Sequence, residues 1–144
     1  MSVSSEPPTE LRVLVVDDNI EAATTLCYLL QIAGCRTAIG FGGVMGLRVA
    51  QLFQPTLLLL DFDMPGMDGS ELLGKLKALP GPIANAVSVC VTGMSDTATE
   101  ERCRAAGFDH FLTKPIDGEA LAVLLAEARA RVSAAQVDSA PPPA

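Results

Sequence analysis

Three aspartates, a threonine and a lysine stand where aliphatic runs of this sequence end. Asp17 and Asp18 follow the run 11–16, Asp61 follows 57–60, Thr92 follows 87–91, and Lys114-Pro115 comes just after a weaker run, 108–112. In open parallel sheets, ligands bind beyond the carboxyl ends of the strands, at the point where successive connections part to opposite sides. If these runs are parallel strands, three carboxylates, one hydroxyl and one ammonium converge on one edge. Asp17, Asp18 and Asp61 with Lys114 sum to a charge of −2, which a hard divalent cation neutralises. A donor set of oxygens alone, without thiolate or imidazole, selects Mg²⁺, or else Mn²⁺, over zinc. An Asp after a strand often only caps the next helix. Capping accounts for one or two of these positions, but not for two adjacent acids, a third acid, a Thr and a Lys-Pro at matching ends.

The elements that must position these groups are legible as alternating patterns. The runs 11–16, 57–60 and 87–91 are continuous rather than alternating in hydrophobicity, as expected of parallel strands covered on both faces; 36–39 and 108–112 are weaker strands. Between them the spacing is helical. Ala22, Leu26, Leu29 and Ala33 form one stripe predicted to face the sheet, with Gly34 as the stop. Residues 43–53 read as a second helix, weakened by Gly43 and Gly46. A third, 68–79, is closed by Pro80-Gly81-Pro82. Ser95 is expected to begin a fourth that runs to Ala106, with Gly107 as its cap. Asp117 caps a fifth, whose buried side is Leu121, Leu124, Leu125 and Ala128. Five βα units imply an open α/β sandwich with right-handed crossovers, spanning 11–132. The Pro-, Ser- and Ala-rich segments 1–10 and 133–144 read as flexible tails.

Composition removes several function classes. Hydrophobic residues make up 49% of the 144 and charged residues 19%, too apolar for a disordered chain and enough for a core. A net charge of −7 argues against gripping a phosphate backbone, so no direct DNA binding is expected. No apolar run is long enough for a membrane helix, and MSVSSEPPTE lacks the cations and apolar stretch of a signal peptide, which points to a cytoplasmic protein. Cys27, Cys35, Cys90 and Cys103 contain no CxxC pair and read as reduced thiols packed as small hydrophobes.

In order, Val-Val-Asp17-Asp18-Asn19, Leu-Leu-Asp61-Phe-Asp-Met-Pro-Gly-Met-Asp68-Gly69, Val-Thr92-Gly93 and Ala-Gly107-Phe-Asp-His-Phe111-Leu-Thr-Lys114-Pro115 resemble the receiver domains of two-component response regulators over about residues 11–131. The resemblance implies a flavodoxin-like doubly wound fold: a five-stranded parallel sheet of order 2-1-3-4-5 flanked by five helices. It implies that Asp61 takes a phosphoryl group from a phosphohistidine. Asp17, Asp18, Asp61 and the backbone carbonyl of Asp63 would hold Mg²⁺. Thr92 and Lys114 would bind phosphoryl oxygens, Phe111 would be the switch aromatic, and Lys114-Pro115 would be cis. The implied partners are a sensor histidine kinase or histidine phosphotransfer domain and a downstream protein target. The chemistry agrees: a carboxylate attacks phosphorus only if repulsion from the phosphoryl oxygens is cancelled, which a divalent cation and a lysine can do.

Two rim positions and one helix face add detail. Asp63 places a fourth carboxylate at the mouth and Met94 an apolar side chain opposite, both placed to alter the lifetime of an aspartyl phosphate. The first helix has no charged residue from Ala22 to Gly34; Ile20, Ala23, Thr24 and Cys27 are expected to form an apolar docking patch for the donor's helical bundle. His110 reads as a surface residue of the fifth strand. With only a short tail after 131, the chain is expected to act through protein contacts. Two other functions compete. Leu-Asp61-Phe62-Asp63 also resembles the first motif of haloacid-dehalogenase-like phosphatases, whose second Asp is an acid/base catalyst, but Asp17-Asp18 precede it and no cap-sized insertion follows. A phosphorylation-independent interaction module is the other alternative, against which all the key residues are intact.

Overall fold

The computed structural model describes residues 10–94 and 96–138. In chain order the elements are β1 (Arg12–Val16), α1 (Ile20–Ile32), β2 (Arg36–Gly40), α2 (Gly43–Phe53), β3 (Leu57–Asp61), α3 (Gly69–Lys77), a 3₁₀ turn (Pro82–Asn85), β4 (Val87–Thr92), α4 (Thr97–Ala106), β5 (His110–Thr113) and α5 (Gly118–Asp138). The five strands are all parallel, in the order β2-β1-β3-β4-β5. Strand alternation divides their side chains between two layers. Val13, Val15, Leu57, Leu59, Val89 and Val91 pack with α1 and α5. Leu14, Val16, Leu58, Leu60 and Cys90 pack with α2, α3 and α4.

The register puts Gly40, Val16, Leu60, Cys90 and Phe111 in one row across the sheet. One residue further along their strands, Asp17 and Asp61 stand side by side at the carboxyl edge. The chain leaves β1 for β2 on one side and then returns past β1 to β3, so this edge is the topological switch point. The helices that frame it are begun by side-chain caps. Asn19 Oδ1 accepts the Ala22 amide at 3.0 Å, Asp68 Oδ1 the Glu71 amide at 2.9 Å, and Asp96 Oδ1 the Thr99 amide at 2.7 Å.

Several expectations are corrected. Helix α1 buries Ala23, Leu26, Cys27 and Leu30, whereas Leu29 is 40% exposed and Ala33 lies on the surface. The stripe is turned by one residue because the helix is apolar on nearly all sides, so hydrophobic spacing alone does not choose between neighbouring faces. Helix α4 starts at Thr97 with Asp96 as its cap; Ser95, expected to begin it, lies outside the described residues. Strand β5 starts at His110, because Asp109 turns its carboxylate to the Ser88 amide at 2.9 Å. Helix α5 continues to Asp138, so residues 133–138 are helical rather than tail; 139–144 and 1–9 lie outside the described residues. Its buried side is Leu121, Leu124, Leu125 and Ala128, as expected. The cysteines are not four independent hydrophobes. Cys27 and Cys35 are free and buried, but Cys90 and Cys103 lie sulfur against sulfur between β4 and α4, with Cα atoms 6.3 Å apart.

Gly43 and Gly46 weaken α2 by propensity, but Gly46 lets it sit close to the sheet and Gly43 leaves room for the Met67 side chain. A Cβ at Gly46 would stand 2.8 Å from Val16 Cγ2. Gly74, in the middle of α3, has open space at the same test. We therefore expect Gly46→Ala to destabilise by about 1–3 kcal/mol through overpacking and Gly74→Ala to stabilise by about 0.5–1 kcal/mol through helix propensity. Urea denaturation of both variants checks this pair, and a harmless Gly46→Ala would show that α2 can retreat from β1.

Candidate functional site

The carboxyl edge of the sheet gathers Asp17, Asp18, Asp61, Thr92 and Lys114. Asp17 and Asp61 are 5% and 6% exposed, although both are carboxylates. Asp18 is exposed. One carboxylate oxygen from each of the three lies within 4.8 Å of the others, and among the described residues no other group of three acids, histidines or cysteines comes together in this way. Lys114 provides the counter-charge: its Nζ donates to Asp17 Oδ2 at 2.8 Å and stands 3.6 Å from Asp61 Oδ2. The second oxygen of Asp17 accepts the Asn19 amide at 2.9 Å.

These contacts polarise the site. Burial first, and then the neighbouring Asp17 charge, together push the Asp61 carboxyl up from 3.8 to about 7 against the opposing pull of Lys114. Burial works against the Lys114 charge, but the hydrogen bond to Asp17 and the charges of Asp61 and Asp17 outweigh it and hold its pKa above the ordinary lysine value. The cluster is thus short of positive charge: one ammonium serves three carboxylates. An all-oxygen set of this charge, with two members screened from water, fits a divalent cation such as Mg²⁺.

The remaining positions surround this centre. Thr92 is fully buried at the end of β4, and its Oγ1 accepts the Met94 amide at 3.1 Å. Its carbonyl accepts the Lys114 amide at 2.7 Å, tying the lysine's backbone to the threonine's strand. Lys114-Pro115 is cis. Asp63 is exposed beside the cluster, with its amide 3.4 Å from Asp61 Oδ1, and Met94 is 54% exposed on the other rim. Phe111 is half-buried, packed against the α3–α4 layer. His110 lies 3.6 Å from Glu127 of α5, away from the carboxylates.

The docking patch is only half present. Ile20 is 63% exposed and Thr24 is on the surface, but Ala23 and Cys27 are buried core residues at 0% and 4% exposure. The accessible apolar face of α1 consists instead of Ile20, Tyr28, Leu29 and Ile32 around Thr24. A groove of 610 Å³ runs beside it from Asp17 and Asp61, past Ala22, Leu26 and Leu29, to Ile116. Two positioning residues were not singled out from the sequence. Asn19 both caps α1 and steadies Asp17, a role signalled by its place just before a helical pattern. Gly69 lets α3 begin against the end of β3, where a Cβ would stand 2.6 Å from the Asp61 carbonyl oxygen; a glycine in a loop carries no such signal by itself.

Known proteins share this arrangement. The sequence matches the family described as the response regulator receiver domain over residues 13–126. It is 33% identical over 133 residues to the virulence sensor protein BvgS of Bordetella bronchiseptica, covering 90% of this chain and 11% of that protein. It is 34% identical over 128 residues to the transcriptional regulatory protein PrrA of Mycobacterium bovis, covering 88% of this chain and 50% of that protein. A response regulator receiver domain protein of Methanospirillum hungatei superposes with a TM-score of 0.74 at 25% identity, over 87% of this chain and 98% of that one. The chain therefore spans a fraction of the curated relatives, from about a tenth of the sensor to half of the regulator. With the carboxylate cluster at the switch point of a 2-1-3-4-5 sheet and the family match across the core, the chain belongs to the response regulator receiver domain family.

Proposed function

We propose that Asp61 is the phosphoacceptor of this receiver domain and takes its phosphoryl group from a phosphohistidine in a two-component or phosphorelay pathway. The observation that carries this is the placement of a buried carboxylate, Asp61, between a second carboxylate and the Lys114 ammonium at the sheet's carboxyl edge. In the transfer, an Asp61 carboxylate oxygen attacks phosphorus in line, the P–N bond breaks, and its electron pair remains on the departing imidazole. Asp17, Asp18, Asp61 and the carbonyl of Asp63 would hold Mg²⁺, which when bound supplies the positive charge that lets two anions approach. Lys114 neutralises a phosphoryl oxygen and Thr92 donates its hydroxyl to another, releasing the Met94 amide that it now engages. The product adds about −1.5 to −2 of charge, and Thr92, with Phe111 two positions back on the neighbouring β5, converts that charge into a different surface. Asp63 and Met94, on opposite rims, set how readily water reaches the acyl phosphate. The phosphatase reading would use Asp63 as acid/base, but that residue is exposed and stands outside the carboxylate cluster.

For partners, the exposed α1 face and its groove fit a helical bundle that carries the donor histidine. Among the described residues, no helix is long and apolar enough to cross a membrane.

Three experiments test this reading. Intact mass after incubation with acetyl phosphate is expected to show one added phosphoryl group with Mg²⁺, none with EDTA, and none in Asp61→Asn; Asp63→Asn is expected to change its decay rate. An adduct that persists in Asp61→Asn places the acceptor elsewhere, and an unchanged decay removes Asp63 from the mechanism. For docking, Thr24→Glu should slow transfer from a phosphorylated histidine phosphotransfer protein about tenfold or more, while labelling by acetyl phosphate stays at the wild-type rate. Equal loss with both donors would remove the α1 face from partner recognition.

The third concerns pH. The folded chain holds the Asp61 proton up to about 7, whereas the unfolded chain releases it near 3.8. The folded state therefore binds more protons between these values, and this group's contribution to cation-free stability falls as pH rises through that window. Mg²⁺ competes with the same proton, so its stabilising effect should be large near pH 8 and shrink towards pH 5. Thermal melts with Mg²⁺ or EDTA at both pH values check this, and equal shifts at both would mean that Asp61 is not a ligand.

A further inference from the structure

Helix α4 is thinly anchored. Of its ten residues only Thr99 and Cys103 are buried. Its outer side carries the Arg104–Glu100 pair at 3.0 Å, and its other core contacts are marginal: Ala106 is only partly buried and Arg102 lies over the Phe62 ring at 5.0 Å. Cys103, 1% exposed, meets Cys90, 0% exposed, at the middle of β4. Their Cα atoms are 6.3 Å apart, inside the span that a disulfide bridges without backbone movement. Both belong to the apolar cluster that includes Leu60, Leu73 and Phe108, while the free Cys27 and Cys35 lie in the opposite layer. Cys90 pairs in register with Leu60 on one side and Phe111 on the other, two residues before Thr92.

We propose that Cys90 and Cys103 form a redox-reversible cross-link that fastens α4 to the central strand of the sheet. With a hydroperoxide as oxidant, one thiolate attacks a peroxide oxygen and the O–O bond breaks, giving a sulfenic acid; the displaced hydroxide takes up the thiol's proton and leaves as water. The second sulfur attacks the sulfenic sulfur, the S–O bond breaks, the S–S bond forms, and a second water leaves. Two thiols thus lose two electrons and two protons while one hydrogen peroxide becomes two waters. A dithiol reverses the change by exchange. Buried thiols in apolar surroundings are unreactive until exposed, and the sparse anchoring of α4 supplies the exposure, because a helix held by few buried residues opens locally at low cost. Once formed, the link replaces one of the helix's two buried anchors by a covalent bond, while the Asp96 cap on the Thr99 amide holds its other end. This inference stands on the cysteine pair and on the packing of α4, independently of the phosphoryl chemistry.

The test uses the full chain, reduced with dithiothreitol, desalted, and treated with hydrogen peroxide. Peptide mapping after alkylation should recover Cys90 linked to Cys103, with Cys27 and Cys35 still alkylated, and dithiothreitol should restore all four thiols. Amide hydrogen exchange across α4 should slow by about tenfold or more in the oxidised form and remain unchanged across α1. Cys103→Ser should abolish both effects. Recovery of Cys90 and Cys103 only as free or over-oxidised thiols would overturn the proposal, as would equal α4 exchange in the reduced and oxidised chain, or peroxide-dependent slowing that persists in Cys103→Ser. The wild-type peptide map decides the chemistry whether or not the variant folds.

Discussion

Like charges crowded at the end of two adjacent strands set the terms for the rest of this fold. Asp17 and Asp61 sit side by side, nearly inaccessible to water, with Asp18 at the rim and one ammonium between them. Two carboxylates so placed cannot both stay ionised at modest cost, and the response is visible in the proton that Asp61 keeps up to about 7. The arrangement lowers stability locally and is therefore not a device for holding the fold together. It is tolerated because the strands beneath it are buried on both faces, so the sheet over-determines where the two acids must stand. A cation or a phosphoryl group entering this edge meets charge that is already in place, and little has to reorganise.

That rigidity is built from backbone contacts as much as from the core. Gly46 brings α2 onto β1, and Gly69 brings α3 onto the end of β3 at the Asp61 carbonyl. Asn19 joins the first helix to Asp17, and the Lys114 amide is held by the Thr92 carbonyl. Asp17 and Asp61 are thus fixed by the helix that follows their own strand, and Lys114 by the end of the neighbouring strand β4. Thr92 differs: its hydroxyl holds only the Met94 amide, a single local contact on the way to α4.

The strands and the five principal site residues were legible because continuous aliphatic runs and the polar residues that terminate them are local signals. The facing of α1 was not. A helix with no charge beyond Glu21 offers no charged side to orient it, and the choice between Ala22/Leu29 and Ala23/Leu30 is made by what the sheet and α5 present, which is tertiary information. The same error carried Ala23 and Cys27 onto a surface they do not share, while Ile20 and Thr24, a turn apart on the other side, are accessible. The Cys90–Cys103 contact is equally hidden, since the two stand thirteen positions apart, one on a strand and one on the next helix, and neither has a motif around it. The extra length of α5 to Asp138 was missed because Ser and Ala were read as tail composition, although Ala is the best helix former.

The uneven anchoring of the five helices has a functional logic. Helices α1 and α3 each bury three or four side chains in the core and frame the acids, so displacing them would displace the site. Helix α4 buries two, and it begins five residues beyond Thr92. The helix that follows Thr92 is thus held less deeply than the helices that follow Asp17 and Asp61. Packing depth divides α4 from α1 and α3, while α2, which buries only the Ala50 side chain, is held instead by the close approach of Gly46 to β1. Because Cys103 is one of the two buried residues of α4, any chemistry at that position acts on the thinly packed side of this division and spares the side that holds the carboxylates.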